Sequence, residues 1–195
     1  MDTLEMLIAA VGLGALAGIN LYLTVFVLSL ALRLQWIVLD PEFASLGIID
    51  QPLILYISGA LMVIEFFADK IPWLDSAWDV IHSFIRPLGA AFLGFAAVAE
   101  LDPTLAVIAA LLSGGVGLAG HAAKASSRLI MNASPEPVSN SVASLAEDGI
   151  VLGGLGLWAI SPWLTLLLIA VVSLVVIYGV IRVFAFLGKK LKPDG

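Results

Sequence analysis

Apolar stretches, most of them near the length that crosses a bilayer, follow one another along this chain, at 4–32, 52–68, 87–99, 103–123, 139–160 and 163–187. About 20 such residues cross the hydrocarbon core as a helix, and backbone in lipid must satisfy its own N–H and C=O groups. Only 12% of the residues are charged and 61% are hydrophobic, where a soluble domain carries about 25% charged residues. The expected fold is therefore all-α: one polytopic transmembrane helix bundle over residues 1–195, with about six spans. Two stretches are irregular. Gly12, Gly14, Gly18 and Asn20 interrupt the first, and the third is short, with Pro87 at a position that suits a helix start. Pro162 separates the last two, since proline disfavours helix at the residue before it.

Six spans place the connecting segments alternately on two sides. Lys70, Arg86, Lys124, Arg128, Arg182, Lys189, Lys190 and Lys192 then fall together, and Arg33 alone among the basic residues falls opposite, with Asp40, Glu42, Asp50, Glu100 and Asp102. The positive-inside rule puts the basic side, and with it both termini, in the cytoplasm. The start, Met1-Asp2-Thr3-Leu4-Glu5, lacks the positive region of a secretory signal, so the first stretch is expected to be retained. With no cysteine, disulfides, thiolate metal sites and lipoprotein or prenyl anchors are excluded. A net charge of −6 without a basic run gives no sign of nucleic-acid binding.

Against this background the carboxylates are conspicuous. Glu65 and Asp69 end the second stretch, and Glu147 with Asp148 sits inside the fifth. An acid at the centre of a span costs about 2.5–3.5 kcal/mol on insertion scales, so such residues face a cavity or a partner. Both pairs are expected in the cytoplasmic half. Between Ala68 and Pro87, Asp75, Asp79, His82 and Arg86 recur at helical spacing on one face, with Trp78, Ile81, Phe84 and Ile85 beside them. This is a short amphipathic helix, lying in the membrane interface or closing over an acidic site. A second polar insertion, 132–140, holds Pro135 and Pro137, with Ser139 or Asn140 expected to cap the next span. Asn140, Ser144 and Glu147 or Asp148 share a face there, and Ser144 with Glu147 also fits a capping box. Leu16-Ala17-Gly18 matches Leu118-Ala119-Gly120, which suggests half-repeats over 1–100 and 101–190, inverted if each holds three spans.

Asp69-Lys70-Ile71-Pro72, Asp75-Ser76, Trp78-Asp79, His82 and Phe84-Ile85-Arg86-Pro87 together resemble one pattern of a family of small bacterial membrane proteins known only as a domain of unknown function. Asn132-Ala133-Ser134-Pro135-Glu136-Pro137, Ser139-Asn140 and Glu147-Asp148 resemble its second pattern, so the resemblance runs over nearly the whole chain. It implies a multi-span inner-membrane protein and supplies no substrate or cofactor. More distantly, Glu65, Asp69 and Lys70 are similar to the Glu-x-Gly-Asp-Lys repeats of cation/proton exchangers, without the glycine and with wider spacing of the acids.

Three functions follow from these residues. In the first, a transporter binds a small cation or cationic solute through Glu65, Asp69, Asp79, His82, Asn140, Ser144, Glu147 and Asp148, with Asn20 as a further neutral ligand. Crowded carboxylates would take up a proton, which gives proton coupling. Lys70, Arg86, Lys124 and Arg128 are the charge partners; they would neutralise the empty site, pair structurally with the acids, or favour an anionic substrate or lipid headgroup. The second is an intramembrane enzyme with a metal on His82, His121 and carboxylates, although no H-E-x-x-H or nucleophile-elbow motif is present. The third is a membrane scaffold or accessory subunit. Gly14-x-x-x-Gly18 and Gly149-x-x-x-Gly153 would pack helices within one chain or between copies of a homo-oligomer. The identity of any metal or cofactor is open. The lipid bilayer is the one partner that composition requires.

Overall fold

The first apolar stretch folds as two helices that reverse direction. In the computed structural model, which describes residues 2–132 and 137–190, α1 (Thr3–Ile19) ends at Asn20 and α2 (Leu21–Arg33) begins there. Asn20 is extended (φ −145°, ψ 100°), and its side-chain oxygen accepts the Leu23 N–H at 3.0 Å, an N-cap buried within the bundle. α2 then runs back towards the start of α1, because Ile37–Asp40 border a crevice shared with Glu5 and Trp158–Pro162. It stops where Gln35 takes the left-handed conformation (φ 57°) and the Trp36 N–H returns to Ala31 O at 2.8 Å. A stretch of span length thus becomes a hairpin that enters and leaves at one end.

A 3-10 segment (Pro41–Asp50) leads into α3 (Pro52–Ala68) with a 65° bend. Next come α4 (Pro72–Val98), α5 (Pro103–Asn132), α6 (Pro137–Ile160) and α7 (Pro162–Lys190). Among the described residues, four helices, α4 to α7, contain segments long and apolar enough to cross a membrane, and the bent 3-10/α3 pair adds a fifth if it is counted as one span. The six spans expected from sequence are not found in that form. Pro87 starts no helix but lies within the 27 residues of α4. Membrane helices tolerate such prolines where neighbouring helices re-satisfy the freed backbone, and α4 packs along its length on α5. The short amphipathic helix and the short third span are consequently one element. Ser139 and Asn140 lie inside α6, which begins at Pro137, so neither caps it, and the Ser144–Glu147 pair sits mid-helix rather than in a capping box.

α1 lies in the centre, against α5 and α4 on one side and α7 and α6 on the other. The core there is made of small residues. A Cβ on Gly14 would lie 2.6 Å from Ser113 Cβ, and one on Gly18 would collide with the Gly117 carbonyl. The paired positions rise together along both helices, so α1 and α5 run in the same sense; antiparallel neighbours would be needed if they were equivalent helices of inverted halves. Ser113 Oγ donates to Ala10 O at 3.0 Å, and Trp158 Nε1 donates to Ala9 O at 3.1 Å. α4 is antiparallel to α5, with Gly94 against Ser113 and Ala90 against Gly117.

These contacts fix two ends. The start of α1, the 3-10 segment, Glu100 and Pro162 lie at one end, with Ser45 donating to Glu100. The turn joining α3 to α4 and the later part of α7 lie towards the other, where Val176 and Ile177 neighbour Lys124 and Glu147. The hairpin therefore places the start of α1 and the end of α7 on opposite ends, where an even number of spans would have put them together. Residues 133–136 of the second motif and Lys192 lie outside the described residues.

Candidate functional site

α3, α4, α5 and α6 deliver charged side chains to one buried cluster on the far side of the hairpin tip. From α4 come Asp75, Asp79, His82 and Arg86, all buried, so the polar face of the amphipathic sequence turns inwards. From α5 come His121, Lys124 and Arg128, which continue the face begun by Ser113 and Gly117 at helical spacing. Glu65 and Asp69 at the end of α3 are also buried, and Asn140, Ser144, Glu147 and Asp148 reach in from α6.

Each basic side chain faces carboxylates, with one exception. Arg86 Nη2 is hydrogen-bonded to Glu65 Oε1, both fully buried. Lys124 Nζ lies 3.0 Å from Asp69 Oδ2, 3.2 Å from Glu147 Oε2 and 3.9 Å from Glu65 Oε1. Arg128 grips Glu147 with Nη2 at 2.8 Å and Nε at 3.3 Å, and its Nη1 donates to Asp69 O and Asn140 O. The same Nη1 is 3.8 Å from Asp75 Oδ1. Lys70 is the exception: its Nζ donates to Phe66 O at 2.8 Å and sits over the Phe66 ring. Burial pushes the Lys70 ammonium below the usual lysine range, against the upward pull of Asp148 and Asp69.

The two histidines differ in their contacts. His121 Nδ1 faces Arg86 Nη1 at 3.1 Å and must accept, so Nε2 carries the proton, 3.1 Å from Asp79 O. His82 Nδ1 donates to Trp78 O at 2.8 Å, leaving Nε2 buried and unpartnered. Glu65 Oε2, Arg86 Nε and Ser144 Oγ are likewise buried without a hydrogen-bond partner. Among the described residues, no three His, Asp or Glu side chains converge as a metal shell. The acids instead meet Lys and Arg.

The sequence-predicted residues thus come together, apart from Lys70. What sequence did not anticipate is the part played by Asn20. Its Nδ2 donates to Asp148 Oδ1 at 3.0 Å, which fastens the hairpin tip to the acidic helix. Tyr22, two residues on, stacks edge-on against His82 with ring centres 5.3 Å apart. An asparagine inside an apolar stretch was the available signal. Asp75 was visible on the α4 face, but its approach to Arg128 depends on how α4 and α5 cross. Of the two small-residue motifs, Gly14 and Gly18 are used up by α5, whereas a side chain at Gly149 or Gly153 would meet nothing.

No curated protein and no solved structure matches the chain. A family model described as a domain of unknown function (DUF4126) matches residues 7–182. With its apolar helices and this match over most of its length, the chain is an integral membrane protein that belongs to the DUF4126 family.

Proposed function

We propose that this protein carries a small cation or cationic solute across the membrane in exchange with protons, through the cluster at the hairpin tip. One observation carries the reading. Glu65, Asp69, Asp75, Asp79, Glu147 and Asp148 are six carboxylates, set against Arg86, Lys124 and Arg128 within the cluster and Lys70 at its edge. Even with Lys70 counted, carboxylates outnumber these Lys and Arg side chains by two among the described residues, so Lys and Arg cannot neutralise all of them when ionised. Excess charge in a buried site is relieved by a bound proton or a bound cation, and competition between the two is the basis of coupled exchange. The broken α1–α2 hairpin adds support. Interrupted helices at membrane depth occur in secondary transporters, where the ends of the half-helices face the transported ion or solute. A structural role has one observation in its favour, the pairing of Arg86, Lys124 and Arg128 with acids already inside the chain.

The positive-inside rule places the charged end, with Lys70, Lys189 and Lys190, in the cytoplasm of a bacterial inner membrane. The start of α1 then lies on the opposite face and the end of α7 on the cytoplasmic one.

Proteoliposomes loaded with a pH-sensitive dye test the proposal. Inward gradients of sodium, potassium, calcium, magnesium and a short polyamine are imposed in turn. Proton efflux with one of them, abolished in Glu65→Gln and Glu147→Gln proteins that keep their thermal unfolding temperature, is the expected outcome. Proton silence with every cation, together with variants that fail to assemble, would leave the structural role standing.

A further inference from the structure

The cluster has a side door. α5 packs chiefly on α1 and α4 and barely touches α6 or α7, which leaves a crevice of about 400 Å³ between α5 and the α6–α7 pair, backed by α1. That volume suits a small organic ligand. Along α5 the crevice extends from Val116 to Ser127, about 16 Å at helical rise. Its walls are apolar, with Ile169, Val172 and Val176 on α7 facing Ala119 and Ala123 on α5. Lys124 and Glu147 supply charge at the end nearer the charged face.

From this we infer that the solute of the proposed exchange is an amphiphilic cation that enters sideways from the bilayer, its charged head against Glu147 and its apolar part in the α5–α7 crevice. The inference rests on the acidic-site reading above and names the substrate class for it. Three features argue for this occupant. The two charged residues at the polar end differ in access: the Glu147 side chain is 16% exposed, while that of Lys124 is 3% exposed and already faces three carboxylates. The accessible partner is therefore the acid, within a cluster where carboxylates outnumber Lys and Arg, and it complements a cation rather than a phosphate. The crevice is also polar towards the charged end and apolar towards the bilayer middle. An amphiphile dissolved in that leaflet would move in without turning over. Lastly, the Glu147 carboxylate is shared between Lys124 at 3.2 Å and Arg128 at 2.8 Å. A cationic head would displace one existing ion pair and need not enter an empty charged hole.

The test uses the full-length protein in lipid nanodiscs, with empty discs to subtract partitioning. Binding of dodecyltrimethylammonium, tetramethylammonium and dodecyl sulfate is measured by equilibrium dialysis, for the wild type, Ala119→Trp and Glu147→Gln. Ala119→Trp fills the crevice from its α5 wall without touching the ion pairs, and its thermal unfolding checks that the fold survives. The long cation should bind at least tenfold more tightly than tetramethylammonium and lose at least tenfold in Ala119→Trp. The short cation should change less than twofold in that variant, and both should be lost in Glu147→Gln. Equal affinity for the long and short cations, an unaffected Ala119→Trp, or tighter binding of dodecyl sulfate would each overturn the sideways amphiphile while leaving the acidic site intact. Failure of dodecyltrimethylammonium to bind the wild type would overturn the amphiphile, while the proteoliposome assay with inorganic cations would still decide the acidic-site reading.

Discussion

Between Gly14 and Gly18 on α1 and Ser113 and Gly117 on α5, helices meet nearly backbone to backbone; further along α5, from His121 to Arg128, the inward side chains are long and ionisable. Both regions use one face of one helix and are equally buried. In the first, stability comes from close packing of small residues, because lipid offers no hydrophobic force to drive helices together. In the second it depends on charges compensating one another, a balance in which desolvation can outweigh attraction. The seam should therefore tolerate no added atoms, and the cluster should tolerate almost any change that keeps its charges matched.

The largest effect is expected at the seam. Gly18→Leu drives a side chain into the Gly117 backbone and should prevent assembly, whereas Gly153→Leu, with open space around it, should leave the elution profile in detergent unchanged. Matching behaviour of the two variants would break the comparison.

Next in size is the buried pair. Arg86→Met strands the Glu65 carboxylate and should cost about 3–5 kcal/mol, read as a fall in unfolding temperature, while adding Glu65→Leu should recover most of it. The exposed Arg33–Asp50 contact, at 3.9 Å, should be worth about 0–1 kcal/mol in the same assay. If the double variant is no better than the single one, packing and not charge governs the cluster.

The smallest effect lies outside both regions, where the Leu105 and Thr104 N–H groups at the start of α5 hold the Asp102 carboxyl below the usual aspartate range. A lowered folded-state pKa contributes stability above the unfolded value and loses it as pH falls through the folded one. Asp102→Asn should flatten the acid limb of the stability curve by lowering stability at neutral pH, and change nothing below the folded-state pKa, where the carboxyl is protonated. An acid limb with unaltered slope would assign acid sensitivity to the buried acids.

Periodicity made much of the cluster legible. Asp75, Asp79, His82 and Arg86 on α4, and Glu65 with Asp69 on α3, are spaced to share a face whatever the surrounding fold. The same spacing left open whether the α4 face met headgroups or protein. It gave too many spans because hydropathy counts apolar residues and is blind to chain reversal: the stretch 4–32 is long enough to cross, yet Asn20 turns it back. Pro87 misled for a related reason. Proline breaks an isolated helix, but α5 holds α4 together on both sides of it.

Sequence alone determined a helical membrane protein with acids and bases on shared helical faces, since composition and period are local properties. Tertiary structure decided which charges meet. Lys124 and Glu147 come together only because α5 and α6 approach each other at one end, and Asn20 reaches Asp148 only because α1 stops beside α6. Such pairings join residues far apart in the chain, and no local propensity encodes them.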